Sequence, residues 1–320
     1  MNFLINTLLR FFSSRWSNAG YSQPEHRIDI TINESFETFR PEIKSGKVPW
    51  VNIILFLATA LSMLISGTLL EGEDPLSDIR NLQAGVPFAL TLMAILTFHE
   101  FGHYIFARRH GLKVTLPYFI PFPFSPVGTF GAVIKIKSPI MNKRALLDIG
   151  AAGPIAGFLV ALPALYFGLQ ASEAKISPDG DALSLGSSLM MWILQYSVFG
   201  NLPTGYDVYL NSVAFAGWFG LLVTAFNLLP LGQLDGGHIS YALTGQRQFG
   251  IARILFGILL LLGFWWKGWW IWAALTYFMR LKHPPTIDEY SPLDTKRKII
   301  GIFCLLIFVL CFIPIPFKIM

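Results

Sequence analysis

The stretch HEFGH, residues 99–103, lies inside the apolar run VPFALTLMAILTFHEFGHYIFARR. A run of about 20 mostly apolar residues is the length of a helix that crosses a bilayer. Ionisable side chains at that depth are unfavourable unless they face a protein interior or a water-filled cavity. On a helix, His99 and His103 stand one above the other on one face, with roughly 6 Å of rise between them. Two imidazoles so placed suit a single Zn2+ ion, and Glu100 beside them is able to take a proton from water. His99 and His103 are therefore candidate metal ligands, and Glu100 is the candidate general base.

The rest of the chain obeys the same constraint. Only 13% of its 320 residues are charged and 53% are hydrophobic, whereas a soluble domain carries about 25% charged residues. Further apolar runs occupy 48–70, 145–170, 208–230 and 299–317. The run 250–281 is too long for one span and is interrupted by GFWWKGWW. Clustered Trp with one Lys suits a membrane–water interface, so two short helices in a hairpin are expected there. The fold class is thus an all-α polytopic membrane protein with about six to seven transmembrane helices. With residues 1–47 on the cytoplasmic side, 20 of the 24 Lys and Arg fall on that face, and only Arg80, Lys175, Lys267 and Lys318 on the other. This bias orients the chain and accounts for its net charge of +5 without nucleic acid. Cys304 and Cys311 both lie in the last apolar run, which leaves no disulfide framework and no Cys-based zinc site. The start, MNFLINTLLRFF, carries an arginine within its apolar residues and reads as an amphipathic surface segment rather than a cleaved signal peptide. The chain divides into an N-terminal cytoplasmic segment (1–47), a first transmembrane helix with its outer loop (48–85), a membrane core (86–240) and C-terminal helices (241–320).

Residues 114–137 fit neither a spanning helix nor an ordinary loop. They are apolar yet contain Pro117, Pro121, Pro123 and Pro126, a density that forbids a helix interior. The tail TFGAVIKIK is β-branched and alternating. Irregular backbone is tolerated at membrane depth only against protein, so a cytoplasmic-side re-entrant β-like hairpin is predicted.

Catalytic zinc takes three protein ligands and keeps one position open, so a third ligand must come from another segment. Asp235, in FNLLPLGQLDGGHISYAL, is the best candidate, because the topology puts it at the same membrane face as His103. Asp148 and His238 are rivals: Asp148 is read as a structural residue with Lys143 and Arg144 as neighbours, and His238 as a flanking one. Asn227 is intramembrane; its amide would either donate to the oxyanion of a tetrahedral intermediate or bond to another helix. DIGAAGPIAGF, residues 148–158, presents a small-residue face suited to close packing against the His-bearing helix.

The ordered trio HEFGH, AAGPIAGF and NLLPLGQLDGG resembles the site-2 protease family of intramembrane zinc metalloproteases. The similarity covers residues 86–240, and HPPT at 283–286 is similar to the bacterial and plastid branch. The resemblance implies one Zn2+ held by His99, His103 and Asp235, Glu100 as general base and acid, and Asn227 at the oxyanion. It further implies that residues around 128–137 present an edge strand to a membrane-protein substrate containing a transmembrane helix. The outer loop 171–207 is too short for the PDZ domain found in many members. The first 47 residues carry six basic and five acidic side chains, which suits a bacterial inner (plasma) membrane better than a plastid address. The alternatives are a membrane metal-ion transporter using the histidines, or a catalytically inactive relative that acts as a binding protein.

Overall fold

The computed structural model describes residues 48–176 and 183–319; the expected amphipathic start and the rest of segment 1–47 lie outside the described residues. The described residues are mostly helical and include three small two-stranded sheets. The first helix, α1 (Trp50–Leu70), has no charged residue along its 21 positions, and it buries a stripe of Thr59, Ser62, Met63, Ser66 and Gly67. Small residues on one side let a neighbouring backbone come close. Helix α2 (Val86–Arg109) has Pro at its first turn and Arg108 and Arg109 in its last, the end where cations are favourable. Its buried positions include Phe88, Leu92, Leu96, His99 and His103, steps of three and four that mark one helical face. The polar triplet of HEFGH thus continues the inward stripe.

The proline-rich segment is an antiparallel hairpin, as expected. Strand β1 (Tyr118–Pro121) pairs with β2 (Thr129–Val133), with Tyr118 opposite Val133 and a register shift before Pro121. A further bridge joins Val114 to Ile136. The hairpin runs alongside α1: the Asn52 amide donates to the Leu116 and Pro117 carbonyls at 3.0 and 2.8 Å, and Ser66 Oγ donates to the Ser125 carbonyl at 3.3 Å. Asn52 and Ser66 are fourteen residues apart on the helix, which is roughly 21 Å of rise. The hairpin therefore reaches well along the first helix.

Helix α3 (Lys143–Gln170) starts at Asn142, whose side chain accepts from the Ala145 N–H, and packs along α2. Beyond it the outer loop is more structured than the sequence suggests. Strand β3 (Glu173–Ile176) pairs with β5 (Tyr206–Tyr209), and strand β4 (Leu183–Leu185) and an eleven-residue helix, α4 (Leu189–Phe199), lie between them. Helix α5 (Ser212–Leu228) returns through the middle of the bundle. The expected helical hairpin over 250–281 is present as α7 (Gln248–Leu262) and α8 (Gly268–Phe278), preceded by α6 (Asp235–Thr244). The last run stays helical only as α9 (Thr295–Cys311); Pro314 and Pro316 follow, and the chain ends its described part as β6 (Phe317–Ile319), paired with β4.

Contacts between distant segments sort into two ends. At one, Asp148 meets His110 and Arg297, and Asn142 bridges to Asp288. At the other, β3 pairs with β5 and β4 with β6, Trp218 Nε1 donates to the Gly186 carbonyl, and Trp269 Nε1 donates to that of Pro314. Alternate connections thus share an end. The main core lies around α3, α5 and α9, with Leu165, Trp218, Trp269 and Cys311 buried; a second cluster of Met63, Phe88, Leu92, Leu96 and Phe119 joins α1, α2 and the hairpin. Among the described residues three helical runs, Trp50–Leu70, Lys143–Gln170 and Asp235–Leu262, are long and apolar enough to cross a membrane. Helix α2 is 24 residues long, and its buried histidines and glutamate dilute its apolar character.

Candidate active site

Three elements bring side chains to one point near the last turns of α2. His99 and His103, on α2, are 4% and 5% exposed. Asp235 is the first residue of α6, and its carboxylate Oδ2 lies 3.3 Å from His99 Nε2 and 3.2 Å from His103 Nε2. The two Nε2 atoms are 3.2 Å apart. Donors 2.0–2.1 Å from a tetrahedral zinc ion sit roughly 3.3–3.4 Å from one another. The three donor atoms therefore have the mutual spacing that one small cation demands, and among the described residues they are the group suited to hold a metal ion. Two nitrogens and one oxygen form a donor set that zinc accepts, with a fourth position left for water or a substrate oxygen.

The ring of His103 is held from behind. Its Nδ1–H donates to the Ile149 carbonyl of α3 at 2.7 Å. A carbonyl only accepts, so this bond fixes the tautomer and leaves the Nε2 lone pair facing the other donors. The glycines of α3 make room for both rings. A Cβ on Gly153 would stand 2.0 Å from His103 Nε2, and one on Gly157 would stand 3.1 Å from His99 Nδ1. The small-residue face of DIGAAGPIAGF is thus the bed of the two imidazoles as well as a helix-packing surface.

Asp235 reaches the site because the chain breaks sharply between α5 and α6. Leu229 and Pro230 end the helix, Gly232 has φ +49° and Gly236 passes so close to the Leu228 carbonyl that a Cβ there would lie 1.9 Å from its oxygen. Only glycine fits such a turn. Asn227, on the last turn of α5, sets its Nδ2 3.3 Å from His99 Nε2, so its amide borders the donor triplet. Glu100 is 7% exposed, on the same helix as the histidines.

The two rival ligands stand elsewhere. Asp148 accepts from Arg297 Nε at 2.9 Å and from Nη2 at 2.6 Å, and lies 2.8 Å from His110 Nε2. Its partners are therefore Arg297 and His110 and not the Lys143 and Arg144 beside it in sequence. His238 Nδ1 lies 2.7 Å from His283 Nε2. Because His283 Nδ1 donates to the Pro284 carbonyl, His238 is the donor in this pair. Sequence reasoning singled out HPPT without finding this work for it. His283 stacks on Tyr241, Tyr241 donates to Glu289 at 2.7 Å, and the His283 N–H donates to Gln248. The segment is thereby clamped onto α6, the helix that begins with Asp235.

Burial lowers the His283 pKa from 6.5 to about 4, the carbonyl of Pro284 opposing the shift. The folded chain holds this ring neutral, while the unfolded chain protonates it below pH 6.5. Its contribution is therefore complete above pH 6.5 and is lost as pH falls toward 4, by about 3 kcal/mol in total. Thermal unfolding at pH 7.5 and 4.5 is expected to show a larger acid loss in the wild type than in His283→Asn. Equal losses would contradict this account.

Residues 87–263 match the profile of peptidase family M50. The chain is 29% identical over 98% of its length to the "Probable zinc metalloprotease EGY2, chloroplastic" of Oryza sativa subsp. indica, covering 58% of that protein. It is 32% identical to the Arabidopsis thaliana protein of the same name over 77% of this chain and 45% of the relative. To the "Probable zinc metalloprotease EGY1, chloroplastic" of Arabidopsis thaliana it is 30% identical, over 73% of this chain and 44% of the relative. The chain thus spans about half the length of the curated relatives it matches. The matched region contains both histidines, the glycine bed and the DGG turn, and on this ground the chain belongs to peptidase family M50.

Proposed function

We propose that this chain is an intramembrane zinc metalloprotease that hydrolyses peptide bonds within or beside the transmembrane segments of membrane proteins. The observation that carries the reading is the buried triplet of His99, His103 and Asp235, spaced at 3.2–3.3 Å on otherwise apolar helices. In this reading those three residues hold one Zn2+, which supplies Lewis acidity to polarise the scissile carbonyl and acidify water. The Glu100 carboxylate accepts the proton of the attacking water and delivers it to the leaving amine. The Asn227 amide donates to the oxygen that gains charge as the carbonyl is attacked. Asp148 and His238 take no part in the chemistry: one ties α3 to α9, and the other holds the HPPT segment.

A transmembrane helix hides its carbonyls in its own hydrogen bonds, so a substrate must unwind locally before it is cut. Strand β2 has β1 on one side and no further strand on the other among the described residues. Its outer edge is suited to pair with an extended substrate and to satisfy the backbone groups that unwinding exposes. The depth of the hairpin along α1 supports a re-entrant placement.

We assign six to seven crossings: α1, α2, α3, α5, the α6–α7 run and α9, with the short α8 as the return limb of the helical hairpin. The sorting of contacts into two ends supports this count. The basic-residue bias supports placing residues 1–47, the hairpin and the metal centre at the cytoplasmic face of a bacterial plasma membrane. The relatives carry a chloroplast address in their names, and in such a membrane the same bias would mark the stromal face. Residues 86–240 form the catalytic core in this scheme, with 48–85 before it and 241–320 behind it.

Membrane-protein fragments are to be compared between cells carrying the wild type and cells carrying His99→Ala, with zinc measured on both purified proteins. The expected result is a set of fragments ending inside transmembrane segments in the wild type alone, together with loss of zinc in the variant. Identical fragment sets would overturn the proposal.

A further inference from the structure

On the outer side of the α2–α3 pair lies an apolar groove of about 650 Å³ that ends at Arg109 and is closed at one edge by Ile300 of α9. That volume is within the range of ligand sites. Its floor is made of small residues, Gly102, Ala152 and Ala156; Phe98, Ile105 and Leu159, which are 56%, 44% and 61% exposed, form its walls. The groove runs from Thr97 to Arg109, twelve residues of helix and so roughly 18 Å. Half of a hydrocarbon core about 30 Å thick is close to that length.

The charges at its end are unequal. Asp148 lines the groove but is already bound by Arg297 and His110. Arg109 is exposed and lies over the Phe106 ring at 5.2 Å, and no carboxylate among the described residues pairs with it or with Arg108. An apolar channel one leaflet long, with the unneutralised Arg109 guanidinium at its polar end, matches a lipid with an anionic headgroup. Two copies of this chain meeting groove to groove would bring the two Arg109 side chains together. The charge thus favours the lipid over self-association.

We propose that this groove is a binding site for an anionic phospholipid, with one acyl chain lying against Gly102, Ala152 and Ala156 and the phosphate at Arg109. The same stretch of α3 that cradles the histidines on one side carries the acyl chain on the other: Gly153 faces His103, and Ala152 meets Gly102. The bound lipid therefore fills the outer side of the two-helix unit that holds the imidazoles. This inference rests on the chain being a membrane protein and is independent of catalysis.

The test is native mass spectrometry of the purified full chain in detergent, titrated with phosphatidylglycerol or with phosphatidylcholine. The expected result for the wild type is a first-bound lipid with at least a tenfold preference for phosphatidylglycerol. Arg109→Ala is expected to lose that preference while still holding a lipid. Ala156→Phe, which fills the floor, is expected to lose the first-bound lipid of either kind; its thermal unfolding, compared with the wild type, tells groove filling from misfolding. Equal retention of both lipids by the wild type, or an unchanged preference in Arg109→Ala, would overturn the proposal. So would a dimer peak that disappears in Arg109→Glu, because it would give the groove to a second copy. None of these readouts requires protease activity, so their failure and the failure of the protease reading are separable.

Discussion

Replacing Gly153 by alanine is expected to empty the metal centre while leaving the helices in place. The new methyl would lie 2.0 Å from His103 Nε2, far inside van der Waals contact. The methyl is fixed to the backbone of α3, so the imidazole must swing away. Doing so breaks its 2.7 Å bond to the Ile149 carbonyl and draws Nε2 out of the triplet. Losing the group that orients a ligand weakens metal binding by 10–100-fold, and here the ligand itself moves, so a loss of roughly 100-fold is expected. Zinc content after equilibration against graded chelator would read it. Gly157→Ala supplies the graded control, because its methyl would lie 3.1 Å from His99 Nδ1, a contact that a few tenths of an ångström relieve. Wild-type zinc retention by Gly153→Ala would show that the glycine bed has no part in holding the imidazoles.

Glu100→Gln separates binding from chemistry. The amide keeps the size of the carboxylate but accepts no proton at neutral pH, and Glu100 is outside the ligand triplet. The variant is expected to hold as much zinc as the wild type and to cleave a membrane-inserted substrate roughly 10²–10⁴-fold more slowly, the range a positioned general base contributes. Full cleavage would remove Glu100 from the mechanism. Loss of zinc together with activity would make it a ligand or a structural residue instead.

Much of the site is legible in the sequence, because its parts are local patterns. HEFGH puts two imidazoles on one helix face by spacing alone, and the structure sets their Nε2 atoms 3.2 Å apart. Four prolines within 117–126 rule out a helix, and the alternating tail that follows them marks a strand. The parts that the sequence hides are pairings between distant segments. Strand β4 has three residues and no periodicity of its own; it forms because β6, more than 130 residues later, lies beside it. Asp148 has basic residues close by in sequence, yet it binds Arg297, 149 positions away. His283 lies in a short polar-looking turn and gains its role from stacking on Tyr241. The glycine bed falls between these cases: its small-residue spacing announces close packing, but only the structure says that imidazole rings are what the space is for.

The clamp between residues 280–289 and α6 also sets the order in which the site matures. Synthesis places His99 and His103 in the membrane long before Asp235 is made, and Asp235 emerges before the turn that positions it has its support. That support comes from further on: a Cβ on Gly232 would stand 2.3 Å from the Arg280 carbonyl, and His283 holds His238 within the first turn of α6. The support of the turn that carries Asp235 is therefore complete only once residues near 283 have been made and folded back. If the chain is the protease proposed above, a half-made chain carries two of the three donors and does not cut, so every helix before α9 is made before the protein becomes a hazard to its neighbours.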